Sequence, residues 1–434
     1  MCSRTFAPSS TLLHRPPKRR TPPGSSQRLG SLLRSQLTNC GCNCVALRLV
    51  GKCCDQGGIC AEMFKHGGDT LETLLLDLAD GAFARVLQAL RGDGIAHIRR
   101  CSGPEEIGPI TIIPLLYKLF AELVHGRLYP LLDRHHNKDQ AGFRKGFGTV
   151  HHMFAVSLLQ EQCHEWQHHV WLSALDFKKA FGCVEHNFMW RSLADQGVPA
   201  GYVSLLQNLY SGQTARVRTD CMSKPYDFQR GTKQGDPLSS LLFNSLIETV
   251  VSKFKQKWLA KGCGLKKGAT DLTQLTNLRL AGDILLVAAT LRQLKAMIED
   301  IKIASAEVGL ELHPDRTNIQ SNVERGSGRP KEANVHVDGM SIELVPYSGS
   351  VKYLGRLVSF DRPHDVEIEN RIRSAWKSFM THRAELVDRQ YSLASWLRLF
   401  DRTVTTTMLY GSATWYLHTS LKRRSEEHKE RCCA

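Results

Sequence analysis

The sequence predicts a mixed α/β protein with a helical C-terminal part. Two apolar stretches have the length of strands, and each places an aspartate at its tip. One is the run His169–Leu175, which ends at Asp176, and the other is the hairpin within Asn277–Ala289, which carries Asp283. Segments with apolar residues at helical spacing surround these strands, and the chain from Val366 onward has that spacing as well.

Composition limits the kind of protein this is. The chain has 434 residues, of which 42% are hydrophobic and 23% charged, and this is typical of a globular protein with more than one domain. A formal net charge of +15 indicates a polyanionic partner, most simply nucleic acid. No apolar run approaches the eighteen residues of a membrane span. Several of the fourteen cysteines are scattered singly, so we predict reduced thiols and an intracellular location, nucleus or cytoplasm.

Residues 1–54 contain no Asp or Glu and are rich in Arg, Ser and Pro, so we predict a disordered basic segment. An organelle transit peptide is an alternative, although Pro16, Pro17, Pro22 and Pro23 would break the amphipathic helix that such peptides need. A group of six cysteines between Cys40 and Cys60 raises the possibility of a zinc site. Its C-x-C-x-C spacing differs from the C-x2-C pairs of common structural zinc sites.

The first half of the chain reads mainly as helices and loops. We predict helices between Ala61 and Leu90, an amphipathic helix over Ile110–Leu132, a glycine-rich loop over Asp139–Met153 and a helix over Ala155–Glu165. Three pairs of histidines lack the spacing of metal ligands, so we predict that they lie on the solvated surface. These pairs are His135 and His136, His151 and His152, and His168 and His169.

After Asp176, two helices are predicted over Asn187–Gln196 and Tyr202–Tyr210, and a short strand over Ala215–Thr219. A basic, glycine-containing loop then leads into a long helix, with Asp236 as its N-cap and Pro237 at its first position. Backbone amides, a helix N-terminus and cations together are suited to contact with phosphate.

In the Asp283 hairpin we place Gly282 and Asp283 at a two-residue turn. A helix from Leu291 to about Gly309 follows. The remaining predicted elements are a short strand and turn over Leu310–Thr317, strands over Val335–Val337 and Ser341–Val345, a hairpin over Val351–Ser359, and helices from Val366.

Seven stretches in this order resemble the reverse transcriptase of non-LTR (LINE-type) retrotransposons. They are GFRKGFGT (142–149), LDFKKAFGCVEH (175–186), RGTKQGDPLSSLLF (230–243), LAGDILLVA (280–288), GLELHPDRTN (309–318), KYLG (352–355) and LYGSATW (409–415). The resemblance covers roughly residues 55–420. Seven ordered motifs make it specific to this family.

The resemblance implies a right-hand polymerase with fingers, palm and thumb that catalyses two-metal nucleotidyl transfer. It assigns residues 1–54 to the basic segment, 55–170 to the fingers and the start of the palm, 171–360 to the palm, and 361–434 to the helical thumb and tail. The implied partners are an RNA template, a DNA primer and deoxynucleoside triphosphates. The implied cofactor is Mg²⁺ or Mn²⁺, and no protein partner is implied.

The family also implies roles for individual residues. Asp176 and Asp283 are the implied catalytic metal ligands. The implied nucleotide contacts are Phe177, Phe181 (the gate that excludes a ribose 2′-hydroxyl), Gln234, Gly235 and Arg316. The implied nucleic-acid contacts are Arg144, Lys145, Arg230 and Lys233, together with the primer grip residues Lys352, Tyr353 and Gly355.

Three departures from the family pattern bear on activity. The hairpin has Ala-Gly-Asp where the family has Ala-Asp-Asp, so Gly282 replaces one metal-binding aspartate. Gly182 stands where the first motif continues with Asp, and Gly108 stands where the family has an Arg that contacts the nucleotide. We therefore expect a degenerate, truncated retroelement reverse transcriptase with impaired catalysis. The alternatives are an active two-metal RNA-directed DNA polymerase and a non-catalytic nucleic-acid-binding protein.

Overall fold

A six-stranded sheet carries both of the aspartate-bearing strands. The computed structural model describes residues 94–97, 110–218, 222–266, 274–324, 329–388, 390 and 392–415. The predictions for the basic segment, the cysteine group, the helices between Ala61 and Leu90, and Gly108 lie outside these ranges. The chain divides into two units. One consists of Met1–Lys52 and Ala61–Ala89 and lies outside the described residues, so the fold below is that of the other unit, Cys53–Cys60 with Leu90–Ala434.

The strands are numbered in chain order. They are β1 Gly94–His97, β2 Ile110–Ile112, β3 Trp171–Leu175, β4 Thr214–Arg218, β5 Tyr226–Asp227, β6 Leu265–Lys266, β7 Gln274–Leu275, β8 Asn277–Leu280, β9 Asp283–Ala288, β10 Asn318–Ser321, β11 Asn334–Val337, β12 Met340–Leu344, β13 Val351–Tyr353 and β14 Arg356–Val358.

The α-helices are α1 Leu115–Asp133, α2 Thr149–Glu165, α3 Ala180–Cys183, α4 His186–Asp195, α5 Ala200–Tyr210, α6 Pro237–Ala260, α7 Leu291–Glu307, α8 Asp365–Thr381, α9 Arg383–Leu386, α10 Leu393–Phe400 and α11 Thr406–Met408. Short 3₁₀ turns cover Pro314–Arg316 and Ser412–Thr414, and a π-helical turn covers Asp401–Thr405.

The main sheet has the strand order β11-β12-β10-β3-β9-β8. Strand β3 lies between β10 and β9 and is antiparallel to both. One face of the sheet packs on α2 and the β13-β14 hairpin through a core that includes Val156, Leu172, Leu285 and Val287. Helix α7 packs against β9 and β3. This coverage explains why β9 is an unbroken apolar run rather than an alternating one.

Two helices show why their sequences begin where they do. Asp236 caps α6 by accepting a 3.0 Å hydrogen bond from the Leu238 N–H, as predicted, and Pro237 occupies the first position. Thr290 caps α7 by accepting a 3.3 Å hydrogen bond from the Gln293 N–H. The apolar stripe of α7, from Leu294 to Ala304, is buried.

The helices after the sheet form a small core of their own from Ala375, Leu386, Val404 and Met408. The last described turn packs back on α2 and the β13-β14 hairpin. The buried Arg356 guanidinium there donates to the Ser157 hydroxyl at 2.6 Å and to the Thr414 hydroxyl at 2.9 Å. Among the helices that the structure describes, none is both long and apolar enough to cross a bilayer.

Several predicted boundaries are wrong. Ile110–Ile112 is a strand, and the helix begins only at Leu115, because Pro114 precedes it. Helix α2 begins at Thr149, six residues earlier than predicted. Leu310–Thr317 contains a turn and a single bridge from Leu312 to Phe177, and the strand follows it as β10.

The prediction that the paired histidines are solvated is wrong for His136 and His152. Both side chains are buried, and burial lowers the pKa of each from 6.5 to about 4. Their neighbours in the sequence, His135 and His151, are exposed. In these two pairs the first histidine is exposed and the second is buried, whereas His168 and His169 are both exposed.

Candidate active site

The hairpin β8-β9 brings Asp283 to the tip of the sheet. Leu280 and Asp283 pair across the two strands, so the turn residues are Ala281 and Gly282. This corrects the predicted turn by one position, since Asp283 is the first residue of β9. Ala281 takes the left-handed conformation, with φ of 54°, while Gly282 does not. The left-handed position of this turn is therefore occupied by an alanine, although a glycine is next to it.

The register of the sheet brings the two aspartates together. Leu175 pairs with Ile284 at the end of the antiparallel ladder of β3 and β9, and continuing that register by one position places Asp176 opposite Asp283. Opposed residues on antiparallel strands have Cβ atoms about 4.5–5.5 Å apart. Burial, and then the negative charge of Asp176, raises the pKa of Asp283 to about 6. The two carboxyl groups thus line one pocket and repel each other.

Gly282 lies in the wall of that pocket and has room for a side chain. A Cβ atom at this position would meet ring atoms of Phe243 at 3.4 Å and the Ala180 Cβ at 3.7 Å, which are ordinary van der Waals contacts. Its backbone does not require glycine, because φ lies outside the left-handed region. The packing and the backbone both accommodate a Cβ atom at Gly282.

The pocket has a volume of about 550 Å³ and is lined by the hairpin, the start of α3 and the glycine-rich loop that precedes α2. Its wall consists of Ala141, Gly142, Phe143, Arg144, Phe147, Gly148, Thr149, Asp176, Phe177, Lys179, Ala180, Phe181, Leu280, Ala281, Gly282 and Asp283. The wall residues missed from the sequence as site residues include one charged and two aromatic side chains, namely Lys179, Phe143 and Phe147. Lys179 has a φ of 46° ahead of α3, and Phe143 is 63% exposed. Their positions in the DFKKAF and GFRKGF motifs were the available signal.

Phe181 is held in place from two sides. Its ring stacks on Phe243 with centroids 4.4 Å apart, and the edge of Phe143 approaches it at 6.4 Å. Its backbone carbonyl accepts a 2.5 Å hydrogen bond from the Thr232 N–H. These contacts restrain the position of the Phe181 ring in the pocket wall.

Gln234 and Gly235 are exposed. Neither is among the described residues that line the pocket. The Gln234 carbonyl accepts a 2.9 Å hydrogen bond from the Thr111 N–H, and Gly235 has a φ of 108°, which favours glycine. Arg316 lies beside the pocket, with its guanidinium 3.5 Å from the Asp176 carboxylate.

The predicted phosphate contacts divide into exposed and internal cations. Lys145 and Arg230 are exposed. Arg144 pairs with Asp133 at 2.7 Å, also donates to backbone carbonyls, and has a side chain only 8% exposed. Lys233 is buried against the Tyr117 and Phe228 rings, and burial lowers its pKa to about 8. The side chains of Arg144 and Lys233 thus have partners inside the protein, and their contact with a phosphate stays a prediction.

In the β13-β14 hairpin, Lys352 is exposed and Gly355 forms the turn, with a φ of 77°. Tyr353 is 4% exposed, and its hydroxyl lies 3.4 Å from His152 Nδ1. Tyr353 packs in the core beneath the sheet, and its place in a primer grip stays a prediction.

The sequence of residues 102–358 matches the family described as Reverse transcriptase (RNA-dependent DNA polymerase). The chain belongs to this reverse transcriptase family. The match covers more than half of the chain and confirms both the resemblance drawn from the motifs and the right-hand polymerase fold class. Polymerases of this family in general depend on divalent metal ions.

Comparison with curated proteins narrows the type of reverse transcriptase. The chain is 26% identical over 257 residues to the Pol polyprotein from the type-2 retrotransposable element R2DM of Drosophila melanogaster, covering 58% of this chain and 23% of that protein. It is 25% identical over 267 residues to that of a type-1 R2 element of Nasonia vitripennis, covering 60% and 25%. The domain is therefore a non-LTR retrotransposon reverse transcriptase domain, and it spans about a quarter of the length of these relatives.

The solved structures that match this chain include telomerases. The apo telomerase of Candida tropicalis, truncated from the C-terminal domain, has a TM-score of 0.41 and 12% identity, over 63% of this chain and 59% of that one. The Candida albicans telomerase in complex with a TWJ fragment of telomeric RNA has a TM-score of 0.40 and 12% identity, over 79% and 59%.

Proposed function

We propose that this reverse transcriptase domain binds an RNA template and a DNA primer and holds one divalent cation between Asp176 and Asp283, with nucleotidyl transfer impaired by Gly282. The observation that carries the proposal is the strand register that sets Asp176 opposite Asp283 beside a residue without a side chain. An active two-metal polymerase would need a third oxygen ligand from elsewhere.

The donor set suits one Mg²⁺ or Mn²⁺ ion better than two. Magnesium is usually bound through one or two carboxylates, with water and substrate phosphates completing its shell. Asp176 and Asp283 supply the carboxylates, and the Phe177 backbone carbonyl is a further candidate donor. Among the described residues, no group of three or more His, Cys, Asp or Glu side chains is arranged to hold a metal. When bound, the cations of such sites activate the primer hydroxyl and offset charge on the phosphoryl group.

Nucleotide binding is proposed at the same pocket. Phe181 would exclude a ribose 2′-hydroxyl, and this role is supported by the stacking that fixes its ring against Phe243. Arg316 would break its ion pair with Asp176 and contact a triphosphate instead. This ion pair lies beside the pocket and is half-exposed, so breaking it costs little. Gln234 and Gly235, which are both exposed, are proposed as contacts to template or nucleotide.

Template and primer would contact exposed aromatic and basic side chains. Phe143 and Phe147 are 63% and 39% exposed at the pocket mouth, and aromatic rings of this kind stack with bases in single strands. Lys145, Arg230 and Lys352 are the exposed cations available for phosphates. We also propose the division into fingers, palm and thumb at residues 55–170, 171–360 and 361–434, because the sheet ends before the helices that begin at Asp365.

Binding of a primer-template should fall steeply as salt rises, because counterions are released when cations meet phosphates. Lys145→Ala and Arg230→Ala should each reduce the slope of log K against log salt by about 0.9, the value for one phosphate contact. Lys331→Ala is the control. Lys331 is exposed on the loop before β11, the strand at the opposite edge of the sheet from the β8-β9 hairpin. A flat salt dependence of the parent, or equal effects of all three variants, would contradict the proposed interface.

Cation binding tests the proposal through its pH dependence. A proton and a cation compete for Asp283, whose pKa is raised to about 6, so Mn²⁺ affinity should increase as pH rises through 6 and level off above 7. Calorimetric titration of the parent at several pH values measures this, and Asp283→Asn should bind weakly at every pH. If the parent and Asp283→Asn have equal Mn²⁺ affinity at pH 7.5, the proposed site is wrong.

A further inference from the structure

Strand β8 lies at the edge of the main sheet. Residues 139–141, at the start of the glycine-rich loop that precedes α2, pair with its free side. The Arg279 N–H donates to the Asp139 carbonyl at 2.7 Å, and the Ala141 N–H donates to the Arg279 carbonyl at 2.8 Å. Gln140 thus pairs with Arg279 in a parallel bridge. This contact joins the loop that walls the pocket to the strand that leads to Asp283.

The Gln140 side chain reaches from that bridge to the hairpin turn. Its Oε1 accepts hydrogen bonds from the Ala281 N–H and the Gly142 N–H, both at 2.9 Å. Its Nε2 donates to the Ala281 carbonyl at 3.4 Å. The side chain is fully buried, so water does not compete for these bonds. Gln140 acts on Ala281 as a neighbouring strand would, through both backbone groups of one residue.

Close approach of the loop to the turn depends on Gly142. A Cβ atom there would lie 2.3 Å from the Ala281 nitrogen, so any side chain would push the turn away. The Gly142 carbonyl accepts a 2.6 Å hydrogen bond from Asn244 Nδ2 on α6, which anchors the loop to the long helix. The loop therefore holds the turn while α6 holds the loop.

Ala281 needs such support. Its φ of 54° is unfavourable for a residue with a Cβ, and conformations of this kind persist when the surroundings fix them. Ala281 is two residues before Asp283, and Gly282 between them has no side chain to anchor the turn. A change in the Ala281 backbone would move the end of β9.

We propose that Gln140 is a positioning residue that fixes the hairpin turn and so sets Asp283 opposite Asp176. Gln140 touches no reacting group and acts only through Ala281. The proposal rests on the proposed function, since it concerns the geometry of the same cation site. Gln140 is not one of the family's metal or nucleotide contacts. It would nevertheless help to determine whether the site can bind a cation.

Gln140→Leu tests the proposal because it keeps the size of the side chain and removes all three hydrogen bonds. Gln196→Leu is the matched control. Gln196 is also buried, donates to the Ser245 carbonyl at 2.7 Å and accepts from the Ser245 hydroxyl at 2.9 Å, but it lies between α4 and α6. Two readouts are needed for the full chain: calorimetric Mn²⁺ affinity at pH 7.5, and the hydrogen exchange rates of the Ala281 and Asp283 amides.

Gln140→Leu should weaken Mn²⁺ binding about tenfold and speed exchange of the Ala281 amide by about tenfold or more, as expected for the loss of buried hydrogen bonds. Gln196→Leu should lower the melting temperature similarly and leave both readouts unchanged. Equal changes in the two variants, or unchanged Mn²⁺ affinity in Gln140→Leu, would overturn the proposal.

If Gln140→Leu does not fold, Gly142→Ala displaces the turn sterically and should give the same two changes. Gly201→Ala is its control, because a Cβ at Gly201 on α5 meets nothing within 4 Å. If the parent does not bind Mn²⁺, the proposed function fails, and the exchange rates then decide the inference. Unchanged exchange of the Ala281 and Asp283 amides in both variants would overturn it.

Discussion

Gly282→Asp is expected to tighten Mn²⁺ binding by at least about tenfold at pH 7.5. A third carboxylate about 4 Å from a cation contributes on the order of 4 kcal/mol per unit charge at an effective dielectric near 20, part of which is lost to repulsion by Asp176 and Asp283. Each 1.4 kcal/mol that remains is tenfold in affinity. The pocket accommodates the change, because a Cβ at Gly282 makes only ordinary contacts with Phe243 and Ala180.

Gly282→Asn is the matched control for this variant. It fills the same space beside Phe243 without adding charge, so it separates ligation from packing. We expect its Mn²⁺ affinity to remain within about threefold of the parent's, since a neutral amide oxygen is a weaker ligand for a hard cation. Should calorimetry give the same affinity for the parent and for Gly282→Asp, with both folded, the alignment of this hairpin with the family's metal-binding turn is incorrect.

The second large effect is expected at Asp176. Asp176→Asn should weaken Mn²⁺ binding at least tenfold in the parent, and in the Gly282→Asp background it should reduce primer extension by about a thousandfold, the equivalent of about 4 kcal/mol. Loss of the Asp176 charge should also lower the pKa of Asp283, because that charge helps to raise it. Metal binding in the variant should then depend less on pH near 6.

Glu311→Gln controls for the removal of a nearby negative charge. The Glu311 carboxylate pairs at 2.6 Å with Lys178, which lies two residues after Asp176. The Glu311 side chain is 72% exposed. We expect this variant to bind Mn²⁺ as the parent does, since exposed ion pairs contribute little. If Glu311→Gln and Asp176→Asn weaken binding equally, the effect is one of general charge and Asp176 is not a ligand.

The two aspartate-bearing strands could be predicted because their signals are local. An apolar run that ends in Asp, and an apolar hairpin with glycine in its turn, each follow from a few adjacent residues. The position of the turn within the hairpin was missed by one residue. It is set by contacts of Ala281 with Gln140, which lies far away in the sequence.

The burial of Arg144 and Lys233 could not be predicted from composition. Both occur in basic, glycine-containing loops that look accessible in the sequence, yet Asp133 binds one and aromatic rings surround the other. The same limit applies to His136 and His152, since a pair of adjacent histidines does not indicate which one faces the interior. Partners distant in sequence decide these outcomes.

Primer extension on an RNA template, measured for the parent and for Gly282→Asp under the same conditions with Mg²⁺ and then with Mn²⁺, tests the central claim most directly. The account predicts extension by Gly282→Asp that exceeds the parent's by at least about tenfold with either cation, which corresponds to 1.4 kcal/mol or more of transition-state stabilisation. Extension by the parent with Mg²⁺ at a rate equal to or above that of Gly282→Asp would contradict it.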